Sequence, residues 1–263
     1  MSTQFSRPTR VKWLFPKEAL AVTKPLEWIS YIPSKSIRAL ALQLDAVLEH
    51  AGLVYTIKPL TAESYSDWRE FYADQMSIQH YEVLAKPDWF EHRKLEYPEI
   101  LLVEIKRQAD VQRVGAAIIL RKQDGEWNKP YRASLRIALP RLKNVSIGAL
   151  LDLLSLRYIF AHAPTLVKSG ASRNAFGCIN TLGYLAYKLK IGYEPWLYPD
   201  FSLEEEYPRL TDETATAWFV MPKTSAGTLQ RMERLVVSPS VAILSDELRK
   251  YLEFRKIEVV TGL

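Results

Sequence analysis

Apolar residues recur along much of the chain with the spacing of helices and strands. Ile37, Leu40, Leu44 and Val47 follow one another at helical intervals, and Ser36 stands before them as an N-cap. This pattern predicts an amphipathic helix behind an extended, proline-containing N-terminal arm.

A strand and two helices are predicted next. Leu53–Lys58 is a short run closed by a proline, which is typical of a strand. An aromatic-rich stretch that begins at Thr61 predicts a helix. A further helix is expected over residues 79–94, bent at Pro87.

Three branched, apolar runs then predict an antiparallel meander. They are Glu99–Lys106, Arg113–Arg121 and Arg132–Leu139, and turn residues separate them. After the meander, Ser146 is the expected N-cap of a long apolar helix that Pro164 ends.

The remaining pattern alternates between strands and helices. It predicts a strand at Thr165–Ser169, a helix at Ala175–Lys190, strands at Gly192–Leu197 and Thr216–Met221, and a helix at Ser245–Arg255. The whole order favours an α+β protein with a central mixed, mostly antiparallel sheet flanked by helices. We divide the chain into an N-terminal arm and helix (1–52), a main domain (53–222) and a C-terminal extension (223–263).

Composition excludes several classes of protein. Hydrophobic residues make up 48% and charged residues 25%, which is typical of a globular chain. The single cysteine, Cys178, excludes an internal disulfide, and no Cys/His cluster has zinc spacing, so no metal is expected. Neither a secretory signal nor a membrane-spanning run is found, and we expect a cytoplasmic protein without a membrane partner.

Charge is unevenly distributed along the chain, whose formal net charge is +5. The first forty residues and residues 121–143 each hold seven basic and two acidic residues, whereas residues 199–213 hold one basic and six acidic residues. The two basic segments would attract a phosphorylated cofactor or a nucleic acid, and charge alone does not separate these partners.

The start of the long apolar helix is a candidate anion site. A helix N-terminus presents unpaired backbone N–H groups and the positive end of the helix dipole. Gly148 would let a ligand approach closely, and Lys143 adds positive charge upstream. The alternative is that Ser146 is only an N-cap and that Gly148 serves packing.

The helix predicted at Ala175–Lys190 has a polar face of unusual chemistry. Gly177, Asn180, Tyr184 and Tyr187 share this face, which could line a cleft. A phenol has a suitable pKa for protonating a thiolate. The alternative is that both tyrosines are half-buried packing residues, and Cys178 is expected in the core.

The junction Lys143-Asn-Val-Ser-Ile-Gly148 and the segment Asn180-x-x-Gly-x-x-Ala-Tyr187, with Gly192-Tyr193 following, resemble motifs of the GNAT superfamily of acyltransferases. The family's junction reads Gln/Arg-x-x-Gly-x-Gly/Ala, so Gly148 matches, and Lys143 and Ser146 depart from it. One extra residue precedes Gly192. The element order from Leu53 to Met221 also resembles this family.

The resemblance implies the roles of these residues. Lys143, Ser146 and Gly148 would hold the pyrophosphate of coenzyme A, and Asn180 would contact the same cofactor. Tyr187 would protonate the leaving thiolate, and the extra residue before Gly192 makes Tyr184 its rival.

The loop before the predicted helix supplies candidate substrate-binding residues. Arg173 could hold a carboxylate or phosphate through its guanidinium fork, and Asn174 lies beside it. For the general base, Glu99, Glu104 and the Gln79–His80 region are candidates, and no spacing singles one out.

Three functions follow from these observations. The first is an N-acyltransferase in which a small-molecule or peptide amine attacks an acyl-CoA thioester directly, which needs little beyond positioning and proton transfer. In the second, aminoacyl-tRNA replaces acyl-CoA, as in a related group of doubled-GNAT peptide ligases. The third is a non-catalytic binding module.

Overall fold

A computed structural model of the chain describes residues 5–6, 8, 10–79, 82–136, 145–177, 180–197, 217–222, 230–238 and 244–261. By its internal contacts the chain divides into two compact units. Unit A comprises Lys17–Ile29 and Arg38–Lys168, and unit B comprises Met1–Pro16, Ser30–Ile37 and Ser169–Leu263. The predicted boundaries after residues 52 and 222 stay a prediction.

Unit A is built around an antiparallel meander. Its strands, in the order of the sheet, are β3 (Leu53–Pro59), β4 (Glu99–Arg107), β5 (Arg113–Arg121), β6 (Glu126–Ser134) and the start of β7 (Leu166–Arg173). The pairs β3–β4, β4–β5 and β5–β6 are antiparallel, and β6 and β7 are parallel. The predicted α+β class with a mixed, mostly antiparallel sheet is therefore confirmed.

Helices cover this meander. They are α1 (Lys35–Leu42, which begins in unit B), α2 (Leu44–His50), α3 (Ala62–Ile78), α4 (Trp89–Arg93) and α5 (Ile147–Phe160), and two short 3-10 turns occupy Lys17–Leu20 and Glu27–Tyr31. A core of aromatic and aliphatic side chains that includes Trp68, Tyr72 and Leu102 packs α3 onto the sheet. Helix α5 approaches β5 so closely that a Cβ added to Gly115 would lie 2.5 Å from Ile147 Cγ2.

Unit B contains the short strands and the last two helices. They are β1 (Phe5–Ser6), β2 (Arg10–Leu14), the end of β7, α6 (Leu182–Lys190), β8 (Glu194–Leu197), β9 (Ala217–Pro222), β10 (Gln230–Arg231), β11 (Arg234–Val237), α7 (Asp246–Phe254) and β12 (Glu258–Thr261). The strands follow the order β10-β8-β2-β7 and, in a second group, β1-β9-β11-β12. The guanidinium of Arg255 donates to Glu194 at 3.2 Å and to the Tyr31 carbonyl at 2.8 Å, which ties the end of α7 to this unit.

Several predicted elements have different bounds in the structure. The helix predicted around residues 37–47 is two helices that meet at Gln43. In the predicted region 79–94, the described residues form the short helix α4, which begins two residues after Pro87. The third meander strand begins at Glu126 instead of Arg132, because Gly125, with φ +85°, makes the turn several residues earlier than predicted. Along the described residues, no helix is both long and apolar enough to cross a membrane.

Candidate functional site

In unit A, the pairing of β6 changes at one point along the strand. Its parallel pairs with β7 run from Glu126–Leu166 to Asn128–Lys168. Directly after Asn128 the antiparallel register with β5 shifts, so that Lys129 and Pro130 stand opposite one residue of β5. Such a bulge bends a strand and re-aims its side chains. Here it turns both Lys129 and Arg132 toward α5.

The first turns of α5 collect charged groups from β6. Asp152 is 2% exposed and accepts from Arg132 Nη1 at 2.6 Å, while Lys129 Nζ contacts its other oxygen. Arg132 Nη1 also donates to the Gly148 carbonyl at 3.0 Å. Two cations therefore share one carboxylate beside the positive end of a helix of 14 residues.

Ser146 is the N-cap of α5, as predicted. Its Oγ accepts from the Ala149 N–H at 3.1 Å, so the serine hydroxyl satisfies one of the free donors of the first turn. Gly148 is buried, and a Cβ added to it would lie 3.1 Å from Arg132 Cζ. The group that approaches this glycine closely in the structure is thus a guanidinium. Lys143 lies outside the described residues, and the cofactor roles of Lys143, Ser146 and Gly148 stay predictions.

Much of the other basic charge of residues 121–136 is paired within unit A. Arg121 contacts Glu99 at 3.4 Å, and Lys122 lies 3.4 Å from Glu126. Glu126 also pairs with the buried Lys168 at 2.7 Å. The positive field predicted from the sequence is therefore partly cancelled by carboxylates along β5 and β6.

The candidate bases on the meander are held in ion pairs. Glu104 is fully buried and contacts Lys58 and Arg113 at 2.8 Å and 2.7 Å. Burial acts to raise the pKa of Glu104, but the hydrogen bond from Lys58 and the charge of Arg113 outweigh it, so the pKa is lowered. A carboxylate with a lowered pKa is a weak base. Glu99 is shared by Arg121 and the Tyr158 hydroxyl, and His80 lies outside the described residues.

In unit B, the predicted helix Ala175–Lys190 begins seven residues later, as α6 at Leu182. The backbone of Phe176 forms two 2.9 Å hydrogen bonds with Ala217, and Gly177 has φ +97°, so this stretch cannot be helical. Thr181 is the N-cap, and its Oγ1 accepts from the Tyr184 N–H at 3.0 Å. The predicted helix start was wrong because a partner distant in the sequence holds Phe176 extended.

This later start separates the residues predicted to share one helix face. Asn180 precedes α6, and its side-chain amide donates to the Arg173 carbonyl at 2.6 Å. Tyr184 and Tyr187 are on α6, and both are half-buried. Cys178 lies outside the described residues. The cofactor role of Asn180 and the acid roles of the two tyrosines stay predictions.

Residues 170–173 of the loop predicted at 170–174 belong to strand β7, which runs to Arg173. Arg173 is exposed, whereas Asn174 is 2% exposed. The Asn174 amide donates to the carbonyls of Pro8 and Phe219, each at 2.8 Å, and accepts from the Phe219 N–H at 2.7 Å. These bonds give Asn174 a structural role. The proposed contacts of Arg173 and Asn174 with substrate stay predictions.

Lys188 is a residue of α6 that the sequence patterns did not single out. It is 8% exposed, and its Nζ donates to the Ser169 carbonyl at 2.8 Å and to Ser169 Oγ at 2.9 Å. The ammonium also lies 5.4 Å from the ring centre of Tyr184 and 5.2 Å from that of Tyr193. A lysine at the inward-facing position between Leu185 and Leu189 is the signal that could have identified it.

No group of three or more His, Cys, Asp or Glu side chains within the described ranges is arranged to hold a metal ion. In unit A the start of α5 brings together a capping hydroxyl and two cations, and in unit B hydroxyl, phenol and ammonium groups lie on β7 and α6.

The elements β3, α3, α4, β4, β5, β6, α5, β7, α6 and β8 follow one another along the chain. The order that the resemblance implies is thus present, with a meander before the long helix and a parallel strand after it. This order of elements is similar to that of the GNAT superfamily.

Three solved structures to which the chain is similar are the following. FemX is 11% identical over 70% of this chain and 59% of its own, with a TM-score of 0.49. A tandem GNAT protein from the clavulanic acid biosynthesis pathway is 14% identical over 73% of this chain and 52% of its own, with a TM-score of 0.44. A GCN5-related N-acetyltransferase from Kribbella flavida is 18% identical over 72% of this chain and 55% of its own, with a TM-score of 0.36.

The chain therefore spans between about half and three fifths of the length of these three chains. No model of a known protein family matches the sequence, and no curated protein matches it.

Proposed function

We propose that the protein is an N-acyltransferase that moves an acyl group from an acyl-CoA thioester to an amine by direct attack. The observation that carries this proposal is the start of α5, where Lys129 and Arg132 share the single carboxylate of Asp152 beside the helix N-terminus. The two cations and the helix dipole both favour an anion at this end of the helix. The phosphates of coenzyme A are anions of this kind.

The proposed roles of the other residues follow the resemblance. Ser146 and Gly148, with Lys143 upstream, are proposed to hold the pyrophosphate, and Asn180 is proposed to contact the same cofactor. Tyr187 or Tyr184 is the proposed acid for the leaving thiolate. Their phenols suit this task because their ordinary pKa of about 10 is near that of a thiol.

The acceptor is proposed to be a small-molecule or peptide amine near the end of β7. Arg173, whose side chain is exposed, is the proposed anchor for an acidic group on that substrate. Asn174 is proposed to act through the backbone that it holds.

Ligand-dependent thermal unfolding tests the cofactor. Coenzyme A at about 100 times its Kd should stabilise the protein by roughly 2.7 kcal/mol, or about 5–10 °C in Tm. Dephospho-coenzyme A should retain most of this shift, because it keeps the pyrophosphate, and pantetheine should lose it.

A pair of arginine variants makes the test specific to α5. Arg132→Gln should reduce the coenzyme A shift, whereas Arg121→Gln, on the neighbouring strand and paired with Glu99, should leave it unchanged. Equal shifts in both variants would remove the proposed phosphate site from α5.

Thiol release from acetyl-CoA in the presence of amines tests the chemistry. If Tyr187 is the acid, Tyr187→Phe should lower turnover and leave coenzyme A affinity nearly unchanged, and Tyr184→Phe should have the smaller effect. An unchanged rate in Tyr187→Phe would assign no acid role to this residue.

Aminoacyl-tRNA is the alternative acyl donor, and the seven basic and two acidic residues of the first forty favour it. Salt-sensitive binding of tRNA together with no response to coenzyme A would select this donor. A chain that responds to neither ligand would be a binding module.

A further inference from the structure

The hydroxyl group of Ser169, in unit B, is a hydrogen-bond donor for which the described residues provide no acceptor. A lysine ammonium can only donate, so Ser169 Oγ is the acceptor in its 2.9 Å bond with Lys188 Nζ. The hydroxyl proton of Ser169 must then point elsewhere. Ser169 is 3% exposed, and across the described residues no acceptor for this proton is found.

The ammonium that orients this hydroxyl is itself firmly placed. Lys188 Nζ also donates to the Ser169 carbonyl at 2.8 Å, so two bonds join the same pair of residues. The aromatic faces of Tyr184 and Tyr193 lie within 5.4 Å of the ammonium, a distance at which a cation is attracted to a ring. Lys188 thereby connects Ser169 with Tyr184, one of the two candidate acids.

We propose that Ser169 and Lys188 form a proton relay for the leaving group of acyl transfer; this inference rests on the proposed function. As the C–N bond to the amine forms and the C–S bond breaks, the sulfur takes the hydroxyl proton of Ser169. Ser169 Oγ takes a proton from the Lys188 ammonium in the same step. The neutral lysine then regains a proton from water, and the proton lost by the attacking amine goes to solvent.

The chemistry of the two ends of this relay is matched. The ordinary pKa of a lysine ammonium, about 10.4, lies within roughly two units of that of an alkyl thiol, about 8.5. Serine alone is far too weak an acid to protonate a thiolate, whereas a serine backed by an ammonium transfers the proton without forming an alkoxide. In this relay Ser169 is the catalytic residue, since its hydroxyl would contact the leaving sulfur, and Lys188 would supply its proton.

Changing the leaving group of the thioester distinguishes a catalytic role of Ser169 and Lys188 from a purely structural one. With hydroxylamine as the acceptor, Ser169→Ala and Lys188→Met should each lower kcat for acetyl-CoA by about 100-fold, the lower end of the range for general acid catalysis. With S-phenyl thioacetate the loss should be under about 10-fold, since an arenethiolate is a weaker base and leaves without a proton.

Two further variants separate proton transfer from positive charge and from general effects on strand β7. Lys188→Arg keeps the cation but cannot give up its proton, so it should show the same dependence on the leaving group as Lys188→Met. Ser172→Ala is the matched control: Ser172 is on the same strand, is 9% exposed, and accepts from Trp13 Nε1 at 2.9 Å. It should retain wild-type rates with both thioesters, and thermal unfolding should show that all four variants fold.

Distinct results would overturn the relay. Equal losses with both thioesters would give Ser169 and Lys188 a structural role only, as would full activity in Lys188→Arg. A dependence on the leaving group that appears in Tyr187→Phe and is absent from Ser169→Ala would make the tyrosine the acid. Failure of the proposed function gives a different result, because wild-type protein would then release no thiol from any acyl-CoA, and the relay would fall with it.

Discussion

The first turns of α5 and α6 are built alike and lie in different surroundings. Ser146 caps α5 and Thr181 caps α6, and each accepts from the backbone N–H three residues later. Each helix also has a glycine at its second position, Gly148 in α5 and Gly183 in α6. In local sequence and in capping, the two helix starts are equivalent.

Their neighbours differ in charge and in distance. Gly148 is buried, with the guanidinium of Arg132 3.1 Å from the place of a Cβ. Gly183 is exposed, and the atom nearest to a Cβ added there would be Thr181 Oγ1, at 3.6 Å. A helix N-terminus becomes a candidate anion site through the groups that tertiary structure brings to it, and α5 has received them from β6.

The largest expected change in stability is for replacement of Asp152. Among the described contacts, no buried carboxylate of this kind lies at the start of α6. Asp152→Asn leaves the cations of Lys129 and Arg132 without their shared carboxylate, so the free energy of unfolding should fall by about 3–5 kcal/mol. Urea unfolding measures this loss. Asp45→Asn is the control, because Asp45 is 72% exposed beside Arg157 and should cost under about 1 kcal/mol. Equal losses would show that burial of the α5 charges is energetically unimportant.

The next largest effect should be the loss of folding stability at low pH. It concerns Glu104, a second buried carboxylate of unit A. The pKa of Glu104 is lower in the folded protein than its usual value of 4.5. The unfolded chain therefore binds more protons below about pH 4.5, and the stability from Glu104 is lost as pH falls through the folded pKa. Urea unfolding between pH 6 and pH 3 should show a steeper decline in wild type than in Glu104→Gln. Parallel profiles would contradict the lowered pKa.

A smaller effect is expected for Gly148→Ala. The added methyl group must displace the guanidinium of Arg132, and a charged hydrogen bond of about 1.5–3 kcal/mol outweighs the gain in helix propensity of about 0.5–1 kcal/mol. We expect a net loss of about 1 kcal/mol in thermal or urea unfolding. A gain in stability would mean that Arg132 moves aside without loss and that the two helix starts are alike after all.

The smallest effect should have the opposite sign. Gly183→Ala meets only ordinary van der Waals contact at an exposed site, so the better helix propensity of alanine should raise the free energy of unfolding by about 0.5–1 kcal/mol. The same unfolding experiment measures it. A loss of stability here would reveal a constraint on α6 that its described neighbours do not explain.

The two helices also show which features could be predicted from sequence. The start of α5 was predicted correctly at Ser146, because an N-cap and the apolar run behind it are local features. The start of α6 was misplaced, because Phe176 is held by Ala217, a residue 41 positions away, and no local pattern reports such a bond. The real cap, Thr181, was present in the sequence and lay inside the predicted helix.

Candidate site residues follow the same division. Ser146 and Gly148 were found at a predicted helix start, and Asn180, Tyr184 and Tyr187 were found on a predicted helix face; the resemblance added their proposed roles. Asp152 and Lys188 were missed, because each looks in sequence like an ordinary polar residue on a helix.

The sequence by itself determined the order of elements, the α+β class and the capping of α5, since periodicity and capping depend on neighbours within a few residues. Tertiary structure alone decided that β6 delivers Lys129 and Arg132 to Asp152 and that β7 brings Ser169 to Lys188. Those contacts join residues that are distant in the chain, and a buried charge takes its partners from whatever the fold places beside it.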